Sequence, residues 1–199
     1  MRRRALGVLL ALSALGFWQW AGQRPIDRPS GILVREAPRQ EHLEPGAAAF
    51  THQDYQITPL ARFSLTARVL SYARYRWDAG SALSPVDLAL GWQAMSDSDV
   101  LSHLSIEQSH RWYTYRWEGE PPLDPHTIAV SSANMHMIPA RADVARRLER
   151  LRRGHVVTLR GYLVEARRAD GWFWRSSLTR DDQGAGACEL VWVEDLSHR

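Results

Sequence analysis

Between Arg62 and Trp77 apolar and polar side chains alternate in a sustained run. Phe63, Leu65, Ala67, Val69, Ala73, Tyr75 and Trp77 share one parity, while Arg62, Ser64, Thr66, Arg68, Arg74 and Arg76 share the other. Successive side chains on a strand point to opposite faces, so this pattern predicts a long strand with one buried and one wet face, or two strands joined by a bend near Ser71. Nine tryptophans and a hydrophobic fraction of 45% supply enough apolar area to offset the entropy of folding.

The partners are legible downstream. "HVVTLRGYLVEA", "GWFWRSSL" and "ACELVWVEDL" read as three strands divided by the turn segments "RRADG" and "RDDQGAG". "RWYTYRW" and "HTIAVS" read as two more, split by "PPLDP". Helices are expected in "SPVDLALGWQAM", with Ser84 as cap and Pro85 at the first helical position, and in "SDSDVLSHL". A third is expected in "ARADVARRLERLRRG", where Val144, Leu148 and Leu151 form an apolar stripe and Gly154 ends the helix. The class expected is α+β: a small, mostly antiparallel sheet or OB-like barrel with two or three helices, preceded by one N-terminal transmembrane helix.

The segment 1–22 carries that last expectation. Three arginines precede an uncharged run from Ala5 to Gly22. Eighteen helical residues reach about 27 Å, close to the hydrocarbon thickness of a bilayer. Basic residues ahead of the run keep the N-terminus in the cytoplasm, and Trp18 and Trp20 suit the far interface. The expectation is a single-pass protein of a bacterial inner membrane with the bulk of its chain in the periplasm. "FWQWAGQRP" lacks the paired small residues of a cleavage site, which favours an uncleaved anchor over a secretory signal. Residues 23–54, with Pro25, Pro29, Pro38 and Pro45, read as a linker or lead-in, and 55–199 as the globular domain.

Charge excludes one class of partner. All 25 basic residues are arginine, and five of them precede position 30, where Asp27 is the only acid; from Ser30 onward twenty arginines face twenty-one acids. A nearly neutral domain outside the cytoplasm is no nucleic-acid binder. An envelope or inner-membrane protein is the expected partner, and the arginine-interleaved aromatics also suit a glycan surface.

Three groups of residues offer chemistry. In "SANMHMIPA", Met135 and Met137 point one way and His136 the other if the segment is extended, so two thioethers can converge on Cu(I), or simply pack in a core where a strand gives way to a helix. The pair is similar to that of small periplasmic OB-fold copper carriers. Cys188, the one cysteine, can act as a nucleophile with His126 or His136 as base and Arg175 or Arg180 beside an oxyanion. Sortase-like transpeptidases are similar in anchoring and in strand placement of the cysteine, but Gly184-Ala185-Gly186-Ala187 stands where their Thr-Leu-x-Thr lead would be. Cys188 shares parity with Leu190 and Trp192, which points to the core. Ser176, Ser177, Arg180, Asp181 and Asp182 in "RSSLTRDDQG" can hydrogen-bond a polar ligand or shape a hairpin.

"SPVDLALGW", "NMHMIPA" and "WRSSLTRDDQGAGACE" together resemble a group of bacterial membrane-anchored envelope proteins with no assigned activity, over most of the chain. The resemblance implies a single envelope domain. The expected function is a non-catalytic binding or accessory domain without a cofactor; copper binding and cysteine-dependent acyl transfer are the alternatives.

Overall fold

The structure is a computed structural model and describes residues 24–43, 48–179 and 188–199. The predicted anchor, 1–22, and the sequence candidates Arg180, Asp181 and Asp182 lie outside the described residues. Among the described residues no helix is long and apolar enough to cross a membrane.

The described residues form a sheet-rich α+β fold with three α-helices and a mixed sheet of eight strands. The strands are β1 (Arg39–His42), β2 (Phe50–His52), β3 (Tyr55–Arg74), β4 (Val86–Gly91), β7 (Ser132–Pro139), β8 (Val156–Arg168), β9 (Phe173–Arg175) and β10 (Glu189–His198). A separate hairpin pairs β5 (Ser105–Ser109) with β6 (Trp112–Arg116). The helices are α1 (Ser98–Ser102), α2 (Pro125–Val130) and α3 (Ala142–Leu148), with a 3-10 turn at Gln93–Ser96.

β3 is long enough to pair twice, with β8 along Tyr55 to Arg68 and with β4 along Arg68 to Arg74. The order β3-β4-β7-β10-β8 therefore returns to β3, and the ring of pairings closes. Among the described residues only β7 and β10 run parallel; every other pair is antiparallel. Inside the ring lie Phe63, Leu65, Ala67 and Val69 of β3, with Val86, Leu88, Met135, Met137, Val191 and Val193. Val144, Leu148 and Leu151 join the same cluster, so the apolar stripe predicted for the third helix packs into the ring's interior.

The alternation of the long strand holds as far as Val69 and then changes sense. A register shift between Val69 and Ser71 inserts one residue, which moves Tyr72 to the inner side and leaves Trp77, beyond the strand, 95% exposed. One extra residue in a strand moves every later side chain to the opposite face.

Two assignments are corrected. "VDLALG" is β4, not a helix, because all six residues are buried: Val86, Leu88 and Leu90 face the ring's interior while Ala89 packs outside with Leu70, Met95 and Ile128. A run buried on both faces has no period to separate strand from helix, and its Ser-Pro lead serves a turn equally well. "HTIAV" is α2, not a strand; the Asp124 carboxylate accepts from Thr127 N–H and Pro125 occupies the first turn, a start signal visible in "DP".

Part of the lead-in 23–54 packs onto the domain. β1 and β2 pair with β3, Val34 is buried in the core, and Ile26 N–H donates to the Arg153 carbonyl at 2.9 Å. Arg28 reaches the Gly154 carbonyl at 2.8 Å and the Arg199 carbonyl. Nearby, His155 Nδ1 accepts from Arg152 N–H at 3.1 Å, and its ring lies 4.4 Å from that of His198. Burial, then the neighbouring cations His198, Arg152 and Arg28, push the His155 pKa down from 6.5 to about 4.

This packing generates two predictions. Between pH 6.5 and about 4 the unfolded chain protonates His155 while the folded chain does not, so stability falls as pH drops through that window and levels off below it; urea midpoints measured across it should flatten in His155→Phe. In β8 a Cβ at Gly161 would stand 1.8 Å from the Trp192 carbonyl oxygen, where β10 slips register between Val193 and Asp195. Gly161→Ala should therefore cost at least about 2 kcal/mol in urea unfolding, because backbone rather than a flexible side chain must yield.

Candidate functional site

The site is built on the outer face of β4 and β7. Asp87 and His136 are directly paired across these strands, on the parity opposite to the apolar lining of the ring. Asp87 is fully buried and the His136 side chain is 3% exposed; Oδ2 and Nδ1 stand 2.9 Å apart. The contact is off the line of the N–H, so neither atom completes an aligned hydrogen bond. The other carboxylate oxygen, Oδ1, accepts from Arg111 Nη1 at 2.7 Å.

Arg111 arrives from the hairpin. His110 and Arg111 form its two-residue turn with φ of 50° and 70°. Such a turn favours Asn and Gly, and each side chain forced into the left-handed region costs about 1–2 kcal/mol. The guanidinium offsets that strain. Nη1 also donates to the Ser84 carbonyl at 2.9 Å, while Nε and Nη2 fork onto both oxygens of Asp78. Tyr75 lies 3.9 Å under the guanidinium and its hydroxyl accepts from Arg111 N–H at 3.0 Å. Asn134, two residues before His136 on the same face, donates to the Arg111 carbonyl at 3.0 Å.

Trp174, just before the β9–β10 connection, lies against His136 with ring centroids 4.4 Å apart. It can lie there because residue 80 has no side chain: a Cβ at Gly80 would come within 2.8 Å of the indole. Around His136 opens a cleft of about 510 Å³, walled by Trp112, Phe173 and Trp174 and reached by Arg111, Arg175, Ser176 and Cys188. Trp112 and Phe173 are 46% and 59% exposed at its mouth. Arg175 is tied to Glu165 at 2.7 Å; that hydrogen bond, joined by Arg167, holds the Glu165 carboxyl below its ordinary range against the opposing effect of burial.

The sequence candidates scatter and converge in part. Met135 and Met137 are wholly buried inside the ring, opposite Leu88 and Val86, while His136 faces the other way. Among the described residues no three His, Cys, Asp or Glu side chains gather as a metal group. His126 is exposed on α2 and does not line the cleft. Cys188, His136 and Arg175 do share it. The parity of Cys188 with Leu190 and Trp192 is real, but that face carries the cleft rather than the ring's interior. Ser176 Oγ donates to the Ser177 carbonyl at 2.8 Å and accepts from Leu190 N–H, and Ser177 Oγ donates to the Thr179 carbonyl at 3.0 Å, so both hydroxyls serve the loop.

Sequence reasoning missed Asp87, Asp78, Arg111, Asn134 and Trp174. A signal existed for Asp87: an acid within "VDLALG" is anomalous once the run is read as a buried strand. Comparison with protein-family models, with curated proteins and with solved structures finds no match for this chain.

Arg111→Met strips Asp87 Oδ1 of its cation inside the protein and should cost about 3–5 kcal/mol in urea unfolding. Arg111→Lys should recover less than half of this, because an ammonium cannot span Asp78, Asp87 and Ser84 together. Asp78→Asn, at the wetter end of the fork, should cost no more than about 1 kcal/mol.

Proposed function

We propose that the closed ring is an OB-like barrel, that the domain is held in the periplasm by the 1–22 anchor in a bacterial inner membrane, and that it binds an envelope or inner-membrane protein through the cleft. The architecture is supported by the five-strand order, the parallel pair β7–β10, and α3 between the third and fourth strands of the ring. Barrels of this type bind over their second and third strands, between the first–second and fourth–fifth loops. In this chain those are β4 and β7, with Asp78 on the first–second loop and Phe173 and Trp174 on β9, the short strand within the fourth–fifth connection.

The observation that carries the binding reading is the pair of large exposed aromatics, Trp112 and Phe173, at the mouth of a cleft with a buried His136–Asp87 floor. Aromatic anchors beside a recess are the usual energetic centre of a protein interface. Membrane attachment is supported at the opposite landmark: residues 26–28 pack beside Arg153, His155 and Arg199, where neighbouring Arg153 and Arg28, after burial, lower the Arg68 pKa. A cationic face near the emerging chain suits anionic headgroups. Against copper stands the placement of both thioethers in an apolar interior, turned away from His136.

The test is photo-crosslinking of the full chain in its native membrane. p-Benzoylphenylalanine at Trp112 or Phe173 should give one discrete protein adduct, and at Arg146 on the exposed side of α3 none. No adduct at either aromatic, or equal yield at Arg146, would overturn the reading.

A further inference from the structure

We propose that the cleft is an acyl-transfer site, with Cys188 as nucleophile, His136 as its base and Asp87 as the residue that positions His136. The inference rests on the reading of the cleft as the place where a ligand binds, and adds chemistry to it.

Asp87 Oδ2 stands 2.9 Å from Nδ1 of His136, short of an aligned hydrogen bond; once the ring turns its Nδ1–H onto that carboxylate, Nε2 is left as the acceptor. Asp87 is itself held from behind by Arg111 at 2.7 Å. An imidazole oriented by a buried carboxylate is the arrangement that readies a general base, and here it lines an open cleft. The parallel register puts Leu190 beside His136 and Glu189 beside Met135, which sets Cys188 level with Asn134; its Sγ lies 3.9 Å from Asn134 Nδ2. Thiol and imidazole thus face the same cleft from neighbouring strands, one two-residue step out of level and about 8 Å apart at the backbone. Arg175, paired with Glu165 at 2.7 Å, also lines the recess with its remaining N–H donors.

The substrate class is an ester or thioester whose apolar portion lies against Trp112 and Phe173. The Cys188 proton passes to His136 Nε2 and Sγ attacks the carbonyl carbon. The carbonyl π pair moves to oxygen, beside Arg175. Collapse expels the alkoxide or thiolate, which takes the proton from His136 and leaves an acyl thioester on Cys188. Water or an amine then attacks, its proton passing through Nε2 to the departing Sγ, and the thiol is restored with no net redox change.

The test uses the full chain in lipid nanodiscs with p-nitrophenyl butyrate and iodoacetamide. The proposal expects a butyryl adduct on Cys188 by intact mass and peptide mapping, absent in Cys188→Ser. It also expects an alkylation rate whose pH profile rises well below the ordinary thiol value of about 8.5. His136→Gln should return that profile to the ordinary value and slow acylation at least tenfold; Asp87→Asn should shift the profile in the same direction by less. An ordinary thiol profile in the unaltered chain overturns the proposal, as does wild-type acylation in His136→Gln. Should that variant fail to fold, the unaltered chain's own profile decides. Crosslinking at Trp112 without a perturbed thiol would sink this inference alone; an acylated Cys188 without crosslinking would sink only the protein-partner reading.

Discussion

A single buried carboxylate organises one side of this molecule. Asp87 gives one oxygen to Arg111 and turns the other toward His136. Through Arg111 it ties β4 to the turn of a hairpin that is otherwise outside the main sheet, and through Asp78 to the loop that follows β3. Through His136 it faces β7 and, beyond that ring, Trp174. A carboxylate taken out of water costs several kcal/mol unless cations and donors replace its hydration. Without Arg111, Oδ1 loses the cation that compensates it, and the hairpin turn loses the contacts that offset its left-handed strain.

The ring itself is stabilised differently. Its interior is apolar throughout, filled by β3, β4, β7, β8 and β10 and by the stripe of α3. Removing that apolar area from water supplies most of the stability there. Close backbone approaches refine it: Gly161 admits the Trp192 carbonyl where β10 bulges, and Gly154 admits the Ile26 carbonyl where the lead-in crosses the domain. The polar site is therefore an addition to a core that is complete without it, placed on the outer face of strands whose inner face does the packing.

That division explains what is legible in the sequence. The long alternation, the last three strands and the stripe Val144, Leu148, Leu151 follow local hydrophobic period, and the structure has them. β4 escapes because burial on both faces erases period, and α2 because a six-residue helix shows less than two turns of it. The site is legible only in fragments. Cys188, His136 and Arg175 are each visible as reactive types, but their meeting depends on the parallel pairing of β7 with β10, set by residues far apart in the chain. Asp87 is hidden for another reason: a charge inside an apolar run looks like helix capping until the run is known to be a buried strand. Arg111 is hidden because its partners Asp78, Ser84 and Asp87 come from distant segments.

The interior methionines sharpen the contrast. Met135 and Met137 flank His136 in sequence, yet they occupy the opposite face and serve as core filler. Were β7 needed only for packing, its outer face could be apolar as well, as Ile138 is. Replacing a buried ionic group by a well-packed apolar one is often neutral or stabilising. Asp87 and His136 are instead retained within a hydrogen-bond length of each other, without an aligned bond between them, beside an open cleft. A polar pair that the core does not require, held at some cost against a recess that admits solvent, is better explained by what enters the recess than by the stability of the fold.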